Sequence, residues 1–420
     1  MTEKRGIKKP GVLRSGFKLV NVSEPVKDNS RPLNERYYIS IGDAMKRALD
    51  NKKVTPIHAG GDLKTTQDKG DVAKSPPAQP IKSLQFDLFG AFVTNNRSEV
   101  SNTIAIWERI PKYFPTRTLD KLRPENGHPD PYEWEYVDKN IKYMVVVQPA
   151  LIKVNGSYKA YFPGTTEELI EEAIKKILSD QQYGIHDPKN SETWVRFSLC
   201  MLYRELKDRG CTRSRPQIKH AIEVMNKCNI SFLKEGKEIW SGAILQDLVT
   251  VGREDYLADT DAHHIARLPV FISHAINCLE YRQFNYTRLM NCNSPLSRWI
   301  YKQLIHRFKQ ANLFNDYHFM YEDLKGSGLL QQARDSDNRT KVLGALDELV
   351  SRGVLVRHTN LERKEGQKVV NVKYTVYPSG DFIKEQKAAG KRDTDNDTKA
   401  RDSGLKIVDK RGQSRRFNPQ

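Results

Sequence analysis

The chain has 420 residues, of which 38% are hydrophobic and 29% charged, and its formal net charge is +17 at pH 7. A basic excess of this size indicates a polyanionic partner, either nucleic acid or an anionic membrane surface. The sequence has no run of about 18 apolar residues and no apolar segment near its start, which excludes a transmembrane helix and argues against a secretory signal. Its five cysteines form no CxxC pair, so we expect free thiols in a cytoplasmic protein without a metal site or other cofactor.

Much of the positive charge lies at the two ends of the chain. Residues 1–80 hold 16 Lys and Arg against 9 Asp and Glu, and residues 384–420 hold 11 against 6. Both stretches are rich in Gly, Pro, Ser, Asp and Lys and lack apolar periodicity, a composition typical of disorder. We therefore predict a disordered basic arm with a Pro-rich linker over residues 1–83 and a disordered basic tail over residues 384–420.

Residues 84–164 are predicted to form a small β-containing lead-in region. Its extended stretches, Lys142–Val147 and Lys159–Phe162, are rich in β-branched and aromatic residues. They are bounded by turn signals, Asn155-Gly156 and Pro163-Gly164.

The lead-in region begins with Gln85-Phe86-Asp87-Leu88-Phe89. This spacing resembles the motif with which bacterial replication proteins bind the sliding clamp. In such an extended peptide, Leu88 and Phe89 would enter an apolar pocket while Gln85 hydrogen-bonds at its rim. The alternative is a strand edge whose phenylalanines pack against the lead-in region itself.

Residues 165–292 are predicted to form a first winged helix. Helices are expected from Thr165, from about Ser191 to Lys207, and from Ser214, where Pro216 and Gln217 complete a start signal. Two strands follow around a Lys-Glu-Gly-Lys turn. Three helices and then a hairpin are the order of a winged helix, a helix-turn-helix with a β-wing.

Residues 293–383 repeat this order. A helix from Ser294 precedes a strand over Tyr317–Tyr321, a short helix over Glu322–Leu330, and a helix that starts near Asp337. Two strands around a basic loop, NLERKEGQK, complete the unit. The predicted fold class is therefore α+β, with tandem winged-helix domains after the lead-in region; ordinary amphipathic helices in an α+β domain remain the alternative.

Basic and amide side chains are concentrated where a winged helix contacts DNA. In a helix-turn-helix the second helix enters the major groove, and Arg, Lys, Asn and Gln reach base edges and phosphates. The predicted DNA contacts lie at the two helix starts and in the second wing. They are Arg213, Arg215, Gln217, Lys219 and His220 in the first unit, and Arg334, Asn338, Arg339, Thr340, Lys341, Arg363, Lys364 and Lys368 in the second.

No catalytic constellation is apparent. The sequence contains no HExxH, no GxxxxGK[ST] and no Cys/His grid, and the adjacent His263 and His264 would point apart. We therefore predict a protein without enzymatic activity.

Several strings together resemble the plasmid replication initiators of the tandem winged-helix Rep family. The most specific are TRSRPQIK (212–219) and SPLSRWIYKQL (294–304), within a similarity that spans roughly residues 84–385. The resemblance implies binding to repeated origin sequences (iterons), opening of the adjacent duplex, and recruitment of host helicase, host initiator and sliding clamp. It also implies a monomer that initiates and a possible homodimer.

Two other hypotheses fit the same sequence. A winged-helix transcriptional regulator would bind a promoter without melting DNA, and a DNA-nicking enzyme would cut supercoiled origin DNA in the presence of Mg²⁺.

Overall fold

The computed structural model describes residues 87–93, 99–115, 129–138, 140–180, 182–250 and 263–405, which form eleven helices and fifteen strands. The predicted arm (1–83), Gln85 and residues 406–420 lie outside the described residues. The helices are α1 (Leu88–Phe92), α2 (Ala105–Glu108), α3 (Thr165–Leu178), α4 (Leu199–Asp208), α5 (Arg215–Lys227), α6 (Val270–Asn277), α7 (Tyr286–Met290), α8 (Pro295–Arg307), α9 (Tyr321–Lys325), α10 (Asp335–Ser351) and α11 (Gly380–Asp402). The strands are β1 (Val100–Thr103), β2 (Tyr132–Asp138), β3 (Ile141–Gln148), β4 (Ala150–Val154), β5 (Ser157–Tyr161), β6 (Gly184–Asp187), β7 (Glu192–Phe197), β8 (Asn229–Lys234), β9 (Lys237–Gly242), β10 (Gln246–Val249), β11 (His264–Arg267), β12 (Arg282–Asn285), β13 (Tyr317–Met320), β14 (Leu355–Glu365) and β15 (Lys368–Pro378).

The lead-in region shares a sheet with the first predicted winged helix. The antiparallel order is β2-β3-β8-β9, and β3 pairs with β8 from Tyr143 opposite Lys234 to Gln148 opposite Asn229. Tyr143, Val145 and Val147 alternate on the buried face of β3, as expected of a strand with one face in the core. The boundary expected at residue 164 therefore does not divide two separate cores.

The predicted helix from Ser191 to Lys207 is wrong in its first half. Residues Glu192–Phe197 form β7, which lies between β6 and β11. The helix begins only at Leu199, after Ser198 accepts a hydrogen bond from the Met201 amide. Val195 fits a helical spacing with the leucines that follow, but the β-branched and aromatic residues around it favour a strand, and pairing on both sides decides the outcome.

The second predicted unit follows its expected element order. Helix α8 is followed by β13, α9, α10, β14 and β15, and the strands form an antiparallel sheet in the order β13-β15-β14. Helix α10 ends before Gly353, whose φ of 69° turns the chain toward β14. The prediction of this element order is confirmed.

The predicted disordered tail is wrong over residues 384–402. These residues belong to α11, which buries Phe382, Ile383, Ala389 and Ala400. Much of the buried face is polar, so composition alone does not reveal it. Arg282 of β12 satisfies this face by donating to Gln386 and by pairing with Asp393 at 2.7 Å.

One contiguous core runs from α1 to α11, and the first helices of the two predicted units, α3 and α8, meet inside it. Arg298 of α8 binds Glu168 of α3 in a bidentate manner, with Nε–Oε1 at 3.1 Å and Nη2–Oε2 at 2.6 Å. The guanidinium also donates to the carbonyl oxygens of Cys292 and Asn293, at 2.7 and 3.2 Å. This contact joins the two predicted units inside the core.

A second buried charge cluster lies beside this pair. Lys302 of α8 donates to Glu108 of α2 at 2.8 Å and to Glu172 of α3, and Lys175 of α3 bridges the same two carboxylates. Burial alone would raise the pKa of Glu108, but Lys175, Lys302 and Lys112 together hold it well below its usual value. The carboxylate is therefore charged and compensated inside the core.

Candidate nucleic-acid interface

The first candidate helix, α5, begins at a well-defined cap. Gly210, with φ of 71°, ends α4 and turns the chain. Ser214 then accepts a hydrogen bond from the Gln217 amide at 3.4 Å, and the Gln217 side chain accepts one from the Ser214 amide at 2.9 Å. This capping box satisfies two amide donors at the helix start.

The exposed face of α5 carries two of the predicted DNA contacts. Ile218 and Met225 are fully buried, whereas Arg215 and Lys219 are exposed and lie one turn apart on the same face. The Arg215 guanidinium lies 5.8 Å from the centre of the Tyr203 ring on α4. This aromatic contact orients one of the two cations without removing it from solvent.

The other predicted residues of the first unit are partly engaged within the protein. Gln217 is exposed, but its side-chain oxygen belongs to the capping box. Arg213 is half-buried, and its Nε donates to the Thr166 hydroxyl of α3 at 3.3 Å. The His220 ring meets Tyr161 of β5 edge-on, with centroids 4.5 Å apart. Arg215 and Lys219 therefore lie at the surface, whereas Arg213 and His220 pack α5 against α3 and β5.

The hairpin after α5 presents lysines that sequence reasoning did not include. Glu235 and Gly236 occupy a two-residue turn with φ of 49° and 77°. Lys234 and Lys237 are paired across this turn, and Lys142 adjoins them because its carbonyl oxygen accepts a hydrogen bond from the Glu235 amide. The turn itself was recognisable in the sequence, but the position of Lys142 depends on the β3–β8 pairing.

The start of α10 divides the predicted contacts of the second unit into two groups. Arg334 and Thr340 are exposed, and Arg339 is half-buried. Asn338, by contrast, is 4% exposed, and its amide group accepts from and donates to the main chain of Gln332 at 3.0 and 3.1 Å. Asn338 braces the loop before the helix and does not reach solvent.

Lys341 is also engaged within the second unit. Its ammonium group donates to the carbonyl oxygen of Leu329 at 2.7 Å, and burial lowers its pKa. Lys341 and Asn338 thus hold the same loop, Leu329–Gln332, against α10.

The wing formed by β14 and β15 extends beyond the body of the protein. Every residue from Leu361 to Lys368 is exposed, including the predicted contacts Arg363, Lys364 and Lys368. Lys364 pairs with Glu362 at 3.1 Å, and Arg363 lies 3.7 Å from Glu365. These exposed pairs are weak, so the cations can exchange their carboxylates for phosphates.

The described part of the clamp-type motif is helical and partly packed. Asp87 caps α1, which contains Leu88 and Phe89. The Phe89 ring lies 6.2 Å from those of Phe92 and His186, and a Cβ on Gly184 would clash with its tip. The segment is therefore not extended as the motif predicts, and Gln85 lies outside the described residues.

Among the described residues, no group of three or more His, Cys, Asp and Glu side chains is placed to hold a metal ion. The five cysteines are free thiols, as predicted. His264 is buried, which lowers its pKa to about 4. In the same part of the chain, no helix is long and apolar enough to cross a membrane.

Comparisons with known proteins found distant structural similarities. No family model matches the chain, and no curated protein sequence matches it. Two crystal structures of domains 2 and 3 of RctB are 10% and 11% identical to it, each with a TM-score of 0.38, and cover 62% and 64% of this chain and 95% and 99% of their own. The Pi initiator protein, crystallised in complex with iteron DNA, is 12% identical, with a TM-score of 0.30, over 68% of this chain and 99% of that chain.

Proposed function

We propose that the protein is a non-enzymatic replication initiator that binds repeated origin sequences as duplex DNA through two winged helices. The observation that carries the proposal is a repeated arrangement. In each unit, a helix with Arg or Lys side chains near its start (α5, or α10, whose first turn also holds Asp335 and Asp337) is followed by a hairpin with Lys or Arg side chains beside its turn (β8–β9 or β14–β15). Both hairpins are continuous with sheets that pack on the core, so helix and wing are held together.

The exposed and half-buried polar residues of α5, α10 and the two hairpins form the contact set of this proposal. In the first unit they are Arg215, Gln217 and Lys219, supplemented by the wing lysines Lys234 and Lys237. In the second unit they are Arg334, Arg339, Thr340, Arg363, Lys364 and Lys368. Asn338 and Lys341 are left out because their polar atoms are bound to main-chain groups of Gln332 and Leu329.

Shape and charge support binding to a duplex. An α-helix fits the major groove, and exposed Arg and Lys side chains one turn apart reach both base edges and phosphates. Each phosphate contact releases counterions, so the affinity falls steeply with salt. Arg298 and Glu168 join α3 to α8, and we infer that this contact keeps α5 and α10 at one spacing, which would favour repeats on one face of the DNA.

Origin initiation, rather than regulation alone, is proposed from the sequence resemblance to Rep initiators. The recruitment of host helicase, host initiator and sliding clamp, the opening of the duplex, the homodimer and a cytoplasmic location are parts of the same proposal. A transcriptional regulator with the same winged helices and a nicking enzyme are the competing functions.

The first experiment tests the helix α5 contacts. Arg215→Ala with Lys219→Ala should weaken binding to a duplex from the DNA beside the gene by about 10-fold or more and reduce the salt slope by about 2. Lys387→Ala with Lys391→Ala is the matched control, because these exposed lysines have the same spacing on α11. Equal affinity of both variants in a fluorescence anisotropy titration would remove α5 from the interface.

The second experiment separates initiation from regulation and nicking. The gene and its flanking DNA, placed on a replicon without an origin, should sustain replication, and the α5 variant should not. A regulator would bind the same DNA without sustaining the replicon. A nicking enzyme would relax supercoiled origin DNA when Mg²⁺ is added.

A further inference from the structure

Two neighbouring apolar side chains between α8 and β13 lie almost entirely in solvent. Leu313 is 78% exposed and Phe314 is 99% exposed, the highest value among the large hydrophobic residues of the described chain. Exposing an aromatic ring of this size is unfavourable in water, and contiguous apolar groups at a surface mark interaction sites.

The turn that carries this pair is held by side-chain hydrogen bonds of the asparagines before and after it. The side chains of Asn312 and Asn315 both donate to the Gln310 carbonyl oxygen, at 3.3 and 2.8 Å. The Asn312 side-chain oxygen in turn accepts a hydrogen bond from the Phe314 amide at 2.8 Å. Ala311 is buried at 3% exposure. The turn is thus anchored while its two apolar side chains point away from the protein.

The same segment repeats the spacing of the clamp-type motif. Gln310-Ala311-Asn312-Leu313-Phe314 has Gln, Leu and Phe at the positions that Gln85, Leu88 and Phe89 occupy, and these are the two Leu-Phe pairs of the sequence. The two copies differ in structure. Phe89 packs against Phe92 and His186, whereas Phe314 contacts none of the core.

The turn lies away from the proposed DNA contacts in the wing of its unit. It leads into Tyr317, which pairs with Val376 on β15, and Lys368 of the wing lies eight residues along that strand. At about 3.3 Å per residue, the two points are roughly 26 Å apart. The exposed pair therefore remains accessible when the wing is on DNA, which favours a protein partner over insertion of Phe314 between base pairs.

We infer that Gln310–Phe314 is the segment that docks on the sliding clamp. Leu313 and Phe314 enter adjacent apolar pockets of the ring, and the Gln310 side chain hydrogen-bonds at the rim. The inference rests on the proposed function for its choice of partner and replaces Gln85–Phe89 as the docking segment. The hydrogen bonds of Asn312 and Asn315 within the turn break on binding, because the peptide docks in an extended form.

The test measures binding of purified bacterial sliding clamp to the immobilised full-length chain. Leu313→Ala with Phe314→Ala should weaken clamp binding by roughly 30-fold or more, as expected when two central apolar anchors are removed. Gln85→Ala with Leu88→Ala should leave it within about twofold. Val137→Ala with Tyr158→Ala controls for loss of exposed apolar surface, since these residues are 57% and 63% exposed.

Origin DNA binding, measured on the same variants, separates this inference from the proposed function. Lost clamp binding with unchanged DNA affinity in the Leu313/Phe314 variant supports the inference, even if the wild-type chain were to fail as an initiator. The inference is overturned if the Leu313/Phe314 variant still binds the clamp or if the wild-type chain does not bind it. It is also overturned if only the Gln85/Leu88 variant loses clamp binding. A loss of DNA affinity alone would assign the pair to DNA and overturn it equally.

Discussion

Replacing Arg298 with Met should be one of the most damaging single changes in the protein. Arg298 is 1% exposed and is the buried partner of Glu168, which is 7% exposed. Methionine has a similar length and fills the space of the aliphatic stem. It leaves the Glu168 carboxylate in the core without the guanidinium that neutralises it, and the carbonyl oxygens of Cys292 and Asn293 without a donor.

The magnitude follows from the unpaired charge. Removing one partner of a buried ion pair costs about 3–5 kcal/mol, a large part of the 5–15 kcal/mol that stabilises a typical domain. Glu168→Leu with Arg298→Met removes the stranded charge and leaves only the two carbonyl oxygens without a donor. The double variant should therefore lose about 1–3 kcal/mol and be more stable than Arg298→Met alone.

Urea denaturation followed by tryptophan fluorescence gives the free energies of unfolding. Lys142→Met is the control, because its pair with Glu135 is also short, at 2.8 Å, but its side chains are 61% and 54% exposed. This exposed pair should contribute less than about 1 kcal/mol. If Arg298→Met cost no more than this control, or if the double variant were less stable than the single one, the described role of the pair would be wrong.

Two further predictions concern stability. Asn338→Ala should lower the free energy of unfolding by about 1–3 kcal/mol through lost bonds to Gln332 while leaving the DNA affinity of the folded protein unchanged. A thermal melt and an anisotropy titration check both parts, and weaker DNA binding at full stability would return Asn338 to the interface. Burial lowers the pKa of His306 to about 3, below the usual value near 6.5. Neutral His306 therefore contributes fully to the free energy of unfolding above pH 6.5. This contribution is lost at up to ~1.4 kcal/mol per pH unit as the pH falls toward 3, because the unfolded chain takes up the proton first. His306→Gln should flatten the dependence of unfolding free energy on pH in that window; identical slopes for variant and wild type would contradict the assignment.

Local signals predicted the second unit well because its elements are set by neighbouring residues. Ser294 caps α8 through the Ser297 amide, and Gly353 ends α10 with a positive φ. Such caps and turns depend on a few adjacent residues, and they can be recognised without knowing the rest of the fold.

The features that sequence reasoning missed depend on distant partners. Strand β7 is set by pairing with β6 and β11, and α11 is stabilised by Arg282, more than 100 residues away. The candidate interface shows the same limit. Residue type and position suggested that Asn338 and Lys341 contact DNA, but only the path of the Leu329–Gln332 loop shows that their polar groups are already bound.

Helix α11 also connects to the end of α1 across about 300 positions of the sequence. Its Arg392 donates to the carbonyl oxygens of Ala91, Phe92 and Val93 at the end of α1, at 2.7, 3.2 and 3.0 Å, and to the Asn102 side chain at 3.0 Å. Contacts across about 300 positions close late, because a long loop must first be ordered. During synthesis, the carbonyl groups at the end of α1 find their donor only after Arg392 has left the ribosome. A chain that ends between α10 and Arg392 would keep the candidate DNA-contacting helices α5 and α10 but lack the donor for these carbonyl groups.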